Sequence, residues 1–88
     1  MTAKRAAISA IYAQVAAPDW ASANLDALAD VLRDLSWLPE GGIDIALPDL
    51  DDLDAEDRRA LLDVLAHVVR ESAGSPRPVR VAPTSQQA

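Results

Sequence analysis

Residues 24–35, with the sequence NLDALADVLRDL, constrain the fold more than any other stretch of the chain. The leucines recur at the spacing of one buried face of an amphipathic helix, and three aspartates recur at every fourth position on another face. The leucines are Leu25, Leu28, Leu32 and Leu35, and the aspartates, here called the acidic ridge, are Asp26, Asp30 and Asp34. The stretch therefore predicts a helix with one face on the core and negative charge on another.

The acidic ridge does not stabilise its own helix. Like charges at i and i+4 destabilise a helix by about 0.2–0.5 kcal/mol per pair, and the helix dipole disfavours the carboxylate of Asp34 in the last turn. Arg33 alone is close enough in sequence to relieve the repulsion. Residues that oppose their own element are expected where function requires them. A solvated acidic face explains the same pattern, so both interpretations stay open.

The size and charge of the chain exclude several classes of protein. At 88 residues it is long enough for one domain with a single modest core. Because it has no cysteine, a disulfide framework and a thiolate zinc site are excluded. The first residues lack the apolar segment of a secretion signal, and no run approaches the roughly 18 apolar residues of a membrane span, so we expect a cytoplasmic protein. The net charge of −6 disfavours nucleic-acid binding and favours a basic partner.

A helix and a loop precede the acidic ridge. The period of the apolar residues predicts the first helix over residues 3–16, ended by Pro18. Residues 18–23, PDWASA, form a loop that carries Trp20. Trp20 has two interpretations, a lid on the core or an anchor for a partner.

The second helix has recognisable ends. Ser22 or Asn24 is expected to cap its first turn by accepting a hydrogen bond from a backbone N–H. The helix is expected to end near Ser36, before Pro39. Trp37 lies at this exit, where packing against the core is the expected role and contact with a partner is the alternative.

Two short strands and a long helix are predicted in the second half of the chain. Residues 43–47 alternate apolar and polar side chains, and residues 78–82 predict another strand that Pro83 stops. Between them, residues 55–73 predict a helix with Gly74 as its C-cap. Its apolar stripe is Leu61, Leu62, Leu65, Val68 and Val69. This order predicts a βαβ unit with two parallel strands and a right-handed crossover.

The acidic run over residues 49–57, DLDDLDAED, does not fit a calcium loop. An EF-hand loop needs Gly at its sixth position and Glu at its twelfth, and here those positions hold Asp54 and Ala60. We expect instead that Asp51 or Asp54 caps the following helix. His67 is the only histidine, so we expect a surface residue without metal or catalytic partners. No cofactor or metal is expected.

The loop and the second helix together resemble the barstar family, the bacterial intracellular inhibitors of secreted guanyl-specific ribonucleases. In that family an aromatic-containing loop leads into Asn-Leu-Asp-Ala-Leu-Trp-Asp, the inhibitory helix. The matching residues are Asn24, Leu25, Asp26, Ala27, Leu28 and Asp30. The similarity runs without gaps to Pro39 and resumes at residues 68–72, VVRES, which resemble Val-Phe-Arg-Glu-Ala in the family. It covers most of the chain.

The resemblance implies an α/β domain over residues 1–83, with three helices packed on a small parallel sheet. The residues after Pro83, TSQQA, predict a flexible tail over residues 84–88. The family's first strand, at one edge of a three-stranded sheet, has no evident counterpart in this sequence. An exposed strand edge is a pairing liability. We therefore expect that residues 2–6 form an irregular substitute or that another copy covers the edge. A monomer and a weak dimer both stay open.

The resemblance also implies inhibition of a secreted, guanyl-specific ribonuclease. In the family the helix carboxylates enter the basic active-site cleft, where an RNA phosphate would bind, and Asp30 matches the deepest of them and Asp26 its neighbour. Trp20 stands where the family has an aromatic side chain that covers the catalytic histidine of the enzyme. Glu71 matches a glutamate at the rim of the interface. A cleft that binds phosphate offers Arg, Lys and His donors, which also form charge-assisted hydrogen bonds with carboxylates.

Two side chains on the helix depart from the family pattern. Ala29 stands where the family usually has Trp, so one packing contact is expected to be absent. Asp34 replaces a small residue and adds a carboxylate at the end of the helix, which suggests a different ribonuclease of the same kind. The expected partner-binding residues are Trp20, Asn24, Asp26, Ala29, Asp30, Arg33, Asp34 and Glu71.

Two other classes of function stay open on the residues alone. The first is an acidic interaction module for another basic partner, such as a DNase or a regulatory protein. The second is an enzyme, since Asp26 and Asp30 would lie about 5–6 Å apart, near the spacing of a retaining glycosidase pair. We expect no catalytic activity, because both carboxylates lie on one convex helix of a chain too small for a substrate cleft.

Overall fold

The structure, a computed structural model, describes residues 3–83. Its elements run in the order α1 (Ala3–Gln14), α2 (Leu25–Asp34), β1 (Ile43–Leu47), α3 (Ala55–Ser72) and β2 (Val79–Pro83). This is the predicted α/β architecture, with helices packed on a small parallel sheet. The predicted tail over residues 84–88 lies outside the described residues. None of the helices among residues 3–83 is long and apolar enough to cross a membrane.

The two strands pair in parallel, as the predicted βαβ unit requires. Ile43 lies opposite Val79 and Leu47 opposite Pro83, and the N–H of Ile43 donates to the carbonyl of Pro78 at 2.8 Å. In this register the backbone nitrogen of Pro83 points away from β1, so its missing N–H removes no hydrogen bond from the ladder. The prediction that Pro83 would stop the strand was therefore wrong, because β2 includes it.

The core lies between the three helices and the inner face of the sheet. Its fully buried side chains are Ile8, Ile11, Val15, Leu28, Val31, Leu32, Leu35, Ile45, Leu61, Val68 and Val79. The predicted leucine face of α2 is confirmed, with Leu25 partly buried at its start. The predicted stripe of α3 was wrong at Leu62, which is 40% exposed. One position along a helix turns the side chain by about 100°, so Leu62 lies off the face that Leu61 buries.

Two helix ends differ from their predicted positions. The first helix ends at Gln14, and Ala16, which was expected to be helical, has a left-handed backbone with φ 52°. Gly74 was expected to be the C-cap of α3, but Ala73 caps it in the ordinary helical conformation. The N–H of Ser75 then donates to the last helical carbonyl at 2.9 Å. The chain leaves α3 through this turn, so no left-handed glycine is needed.

The acidic run before α3 caps that helix. The Asp54 carboxylate accepts a hydrogen bond from the N–H of Asp57 at 2.8 Å, which decides between the two predicted caps. Asp51 lies in a turn instead, where its N–H donates to the Asp49 carboxylate at 2.9 Å. In the part of the chain that the structure describes, no group of three or more acidic or histidine side chains is placed to hold a metal ion.

The outer edge of β1, on the side away from β2, is occupied by a side chain from α1. The Nε2 of Gln14 donates to the carbonyl of Ala46, and its Oε1 accepts the N–H of Ala46, both at 2.8 Å. These are the two hydrogen bonds that a neighbouring strand would make. Residues 3–6 are helical, so the expected irregular substitute was wrong there, and residue 2 lies outside the described residues. Gln14 thus closes part of an edge that would be open to pairing.

Gln14→Ala is expected to lower the free energy of unfolding by about 1 kcal/mol. The loss is modest because water can replace the amide at this exposed edge. Equilibrium urea unfolding measures it. Gln14→Glu is the matched variant, since its carboxylate can still accept the N–H of Ala46 but cannot donate to the carbonyl, and its loss should be smaller. Equal stability of all three proteins would show that the amide contributes nothing.

Candidate functional site

The acidic ridge follows the exposed side of α2. Asp26, Asp30 and Asp34 are all exposed to solvent. Among residues 3–83, no hydrogen bond or ion pair engages their carboxylates, so both oxygens of each remain available as acceptors. Residues four apart lie one above the other on a helix. The three carboxylates therefore form one row that a partner can reach.

The start of α2 is held by Asn24. Its Oδ1 accepts a hydrogen bond from the N–H of Ala27 at 2.8 Å, and its backbone is extended, as an N-cap requires. This confirms Asn24, rather than Ser22, as the cap. Asp26 lies in the first turn, where the helix dipole favours a carboxylate. The side-chain oxygen of Asn24 thus serves the helix that presents the ridge.

Trp20 lies in a tight turn in the loop before α2. The N–H of Ala21 donates to the carbonyl of Pro18 at 3.0 Å and closes a β-turn with Trp20 at its third position. Trp20 is 67% exposed, more than any other large apolar residue among residues 3–83. The interpretation of Trp20 as a lid on the core was therefore wrong, and its ring is accessible to a partner.

Tyr12 connects this loop to α1 and to the acidic ridge. Its hydroxyl donates to the carbonyl of Ser22 at 2.7 Å. Burial, and after it the negative charge of Asp30, raise the pKa of Tyr12 above its ordinary value of 10.0. The hydroxyl therefore stays protonated and remains a donor at physiological pH. The sequence places Tyr12 within the first predicted helix, but no local pattern in the helix or the loop points to a contact between them.

Titration of Tyr12 is expected to report its coupling to Asp30. Tyr12 is the only tyrosine, so the ultraviolet absorbance of tyrosinate follows this residue alone. Asp30→Asn should lower the pKa of Tyr12, although not to 10.0, because burial is the larger cause. The folded state holds this proton more tightly than the unfolded chain does. Its contribution to stability is therefore complete below pH 10.0 and is lost as the pH rises through the folded pKa. Identical titration curves would contradict the coupling.

Trp37, the second tryptophan, packs against the core as expected. Its Nε1 donates to the carbonyl of Val15 at 2.9 Å, which satisfies the polar end of a partly buried indole. The two tryptophans therefore differ in their environment, because Trp37 is partly buried against the core and Trp20 is exposed to solvent.

A charged cluster joins the end of α2 to α3. The Nε of Arg33 donates to Oε1 of Glu71 at 3.1 Å, and Nε2 of His67 lies 3.0 Å from Oε2 of Glu71. All three side chains are about half exposed, so each contact is worth about 0–1 kcal/mol. Arg33 is close enough in sequence to relieve the ridge, but its guanidinium pairs with Glu71 on α3. His67 is on the surface as expected, and its i, i+4 spacing to Glu71 is the sequence signal that indicates this contact.

A comparison of the sequence with known protein families identifies the family of this chain. The family model described as Barstar (barnase inhibitor) matches residues 1–83. The chain belongs to the barstar family. No individual curated protein and no solved structure matches it. The matched region contains every residue of the expected binding surface, and it confirms the resemblance that the loop and the second helix carry. At the level of the family, membership implies inhibition of a barnase-type ribonuclease by a protein that is not itself an enzyme.

This barstar-family chain has two grooves beside its acidic helix. One, of about 480 Å³, lies between the C-terminal ends of α2 and α3, and its lining includes Arg33, Asp34 and Glu71. The other, of about 410 Å³, lies between Ala29 and the middle of α3, where the small side chain of Ala29 leaves space that a larger one would fill. The first two aspartates of the ridge line neither groove, so they do not share a cleft with these residues.

Proposed function

We propose that this barstar-family protein inhibits a basic, guanyl-specific endoribonuclease by placing the acidic ridge in the active-site cleft of the enzyme. The row of three free carboxylates on α2 is the observation that carries the proposal. A cleft that binds RNA phosphates holds cationic donors, and carboxylates form charge-assisted hydrogen bonds with them. The bound inhibitor then occupies the space that the substrate needs.

The ridge and the loop have different roles in this proposal. Asp30, in the middle of the row, binds deepest in the cleft, and Asp26 binds beside it. The exposed ring of Trp20 covers the catalytic histidine of the enzyme, and Glu71 contacts the rim. Asn24 acts indirectly, because it caps the helix that presents the carboxylates. Large aromatic anchors beside charged groups are typical of the residues that dominate binding energy.

Three other residues set which ribonuclease fits. Arg33 adds a cation beside the ridge, and its guanidinium donates to Glu71, so an enzyme surface that contacts Glu71 also meets this cation. Asp34 extends the negative row towards the end of the helix. Ala29 leaves a groove that can receive a side chain of the enzyme. The partner is a secreted enzyme, and the inhibitor acts in the cytoplasm, where the enzyme is made, as a monomer or a weak dimer.

The test is titration of the protein into RNA cleavage by a barnase-type ribonuclease. We expect cleavage to stop at equimolar inhibitor, and guanosine monophosphate bound in the active site to be displaced. Inhibition without displacement of the nucleotide would contradict active-site occlusion. Inhibition of a basic DNase, with no effect on any guanyl-specific ribonuclease, would favour the alternative of an acidic module for another basic partner.

A further inference from the structure

Tyr12 holds both ends of the segment that carries Trp20. Its carbonyl accepts a hydrogen bond from the N–H of Ala17 at 3.0 Å, and its hydroxyl donates to the carbonyl of Ser22 at 2.7 Å. Tyr12 itself is well anchored, because it belongs to α1 and its side chain packs against the core. Tyr12 therefore holds the residues on both sides of the segment over residues 18–21, Ala17 before it and Ser22 after it.

The carbonyl of Ser22 also connects this loop to the acidic ridge. It accepts a second hydrogen bond, from the N–H of Asn24 at 2.9 Å, and Asn24 in turn caps α2 with its side chain. One oxygen atom thus joins the hydroxyl of Tyr12, the loop of Trp20 and the first turn of the helix that carries Asp26.

Among residues 3–83, the hydroxyl of Tyr12 provides the side-chain hydrogen bond to the loop over residues 18–23. The loop is also held by the backbone turn from Pro18 to Ala21 and by the packing of Ala21 and Ala23 against the core, but the ring of Trp20 itself is 67% exposed. A flexible loop loses conformational freedom when it binds a partner, and this loss weakens binding. A loop that is held in its binding position beforehand avoids the loss.

We infer that Tyr12 is a positioning residue of the inhibitory surface, whose hydroxyl fixes Trp20 relative to the acidic ridge before the ribonuclease binds. The effect on inhibition rests on the proposed function. The effect of Tyr12 on the mobility of the Trp20 side chain does not depend on the proposed function and can be measured in the free protein. The two can therefore be tested separately.

The first measurement follows Trp20 in the free protein by nitrogen-15 NMR. The chain has two tryptophans, and the hydrogen bond from the indole of Trp37 to Val15 distinguishes its signal from that of the exposed Trp20. Tyr12→Phe keeps the ring and removes the hydroxyl. The heteronuclear NOE of the Trp20 indole should fall in this variant, because the loop gains motion on the picosecond-to-nanosecond timescale. The signal of Trp37 should not change.

The second measurement is inhibition of RNA cleavage. Tyr12→Phe should raise the inhibition constant about fivefold, which is the net value of one hydrogen bond expressed as a ratio. In a Trp20→Ala background the same substitution should have little further effect, because it acts through Trp20. The fall in thermal stability should be no larger than that of Gln14→Ala, because the aromatic ring still packs and only one hydrogen bond is lost.

Gln14→Ala is the matched control, because it removes two hydrogen bonds from the same end of α1 on the side that faces the sheet. It should leave the Trp20 signal and the inhibition constant unchanged. An unchanged Trp20 signal in Tyr12→Phe would overturn the inference, and so would a more mobile Trp20 with an unchanged inhibition constant. If the wild-type protein inhibited no guanyl-specific ribonuclease, the proposed function would fail, and the NMR result alone would decide whether Tyr12 orders the loop.

Discussion

Asp30→Ala is expected to weaken ribonuclease inhibition by more than about 2 kcal/mol, about thirtyfold, while the protein stays folded. Asp30 is the middle carboxylate of the ridge and makes no hydrogen bond or ion pair among residues 3–83. Its removal therefore costs no internal hydrogen bond and relieves repulsion between like charges on α2. In the complex, the same truncation leaves cationic donors of the enzyme buried without an acceptor, which is the costly part.

Inhibition constants and thermal unfolding together test this expectation. Asp26→Ala should also weaken inhibition, but less. Glu56→Ala is the matched control, because it removes the same charge from an exposed position in the first turn of α3, on a different helix. It should change inhibition little. An unchanged constant for Asp30→Ala would rule out the mechanism. An equal effect of Asp30→Ala and Glu56→Ala would indicate a general charge effect without occupation of the cleft.

The features that could be predicted from the sequence are those that depend on neighbours in the chain. The leucine spacing of α2 is a helical period, and Asn24 lies at the position where a side chain can reach the free N–H of Ala27. The alternation over Ile43–Leu47 likewise predicts a strand, and the structure has a strand with these bounds. In each case one local interaction dominates, so short-range patterns are sufficient.

The features that could not be predicted depend on partners far away in the chain. Gln14 reaches Ala46 across 32 positions, and Arg33 reaches Glu71 across 38. Arg33 has acidic neighbours on its own helix, yet it pairs with a carboxylate on another helix. Only the packing of α2 beside α3 brings that carboxylate close. Exposed pairs differ by less than about 1 kcal/mol, so charge patterning alone cannot choose between them.

The same limit applies to the candidate site. The acidic ridge could be predicted, since a row of like charges every fourth residue is a property of one helix. The order of the Trp20 loop could not, because it depends on the hydroxyl of Tyr12 and the carbonyl of Ser22, which meet only when α1 and the loop are folded. A family resemblance predicts which residues bind, but it does not show what holds them in position.

Trp20→Ala is expected to weaken ribonuclease inhibition by more than about 1.4 kcal/mol, tenfold, while thermal unfolding shifts little. Two observations support the expectation that affinity falls while stability is kept. At 67% exposed, Trp20 buries too little surface to stabilise the fold appreciably. In a complex, the same ring could bury most of its area against the enzyme, and aromatic rings that do so are among the strongest contributors to binding.

Trp37→Ala provides the opposite case within the same protein. Trp37 packs against the core and donates to the carbonyl of Val15, so its truncation should lower the melting temperature by opening a gap and leaving that carbonyl without its donor. The molecules that remain folded should still inhibit at nearly full strength, because Trp37 lies outside the proposed binding surface. If Trp20→Ala lowered the melting temperature as Trp37→Ala does and kept full inhibition, the proposed role of Trp20 as a binding anchor would be wrong. A binding anchor requires the reverse pattern, with affinity lost and stability kept.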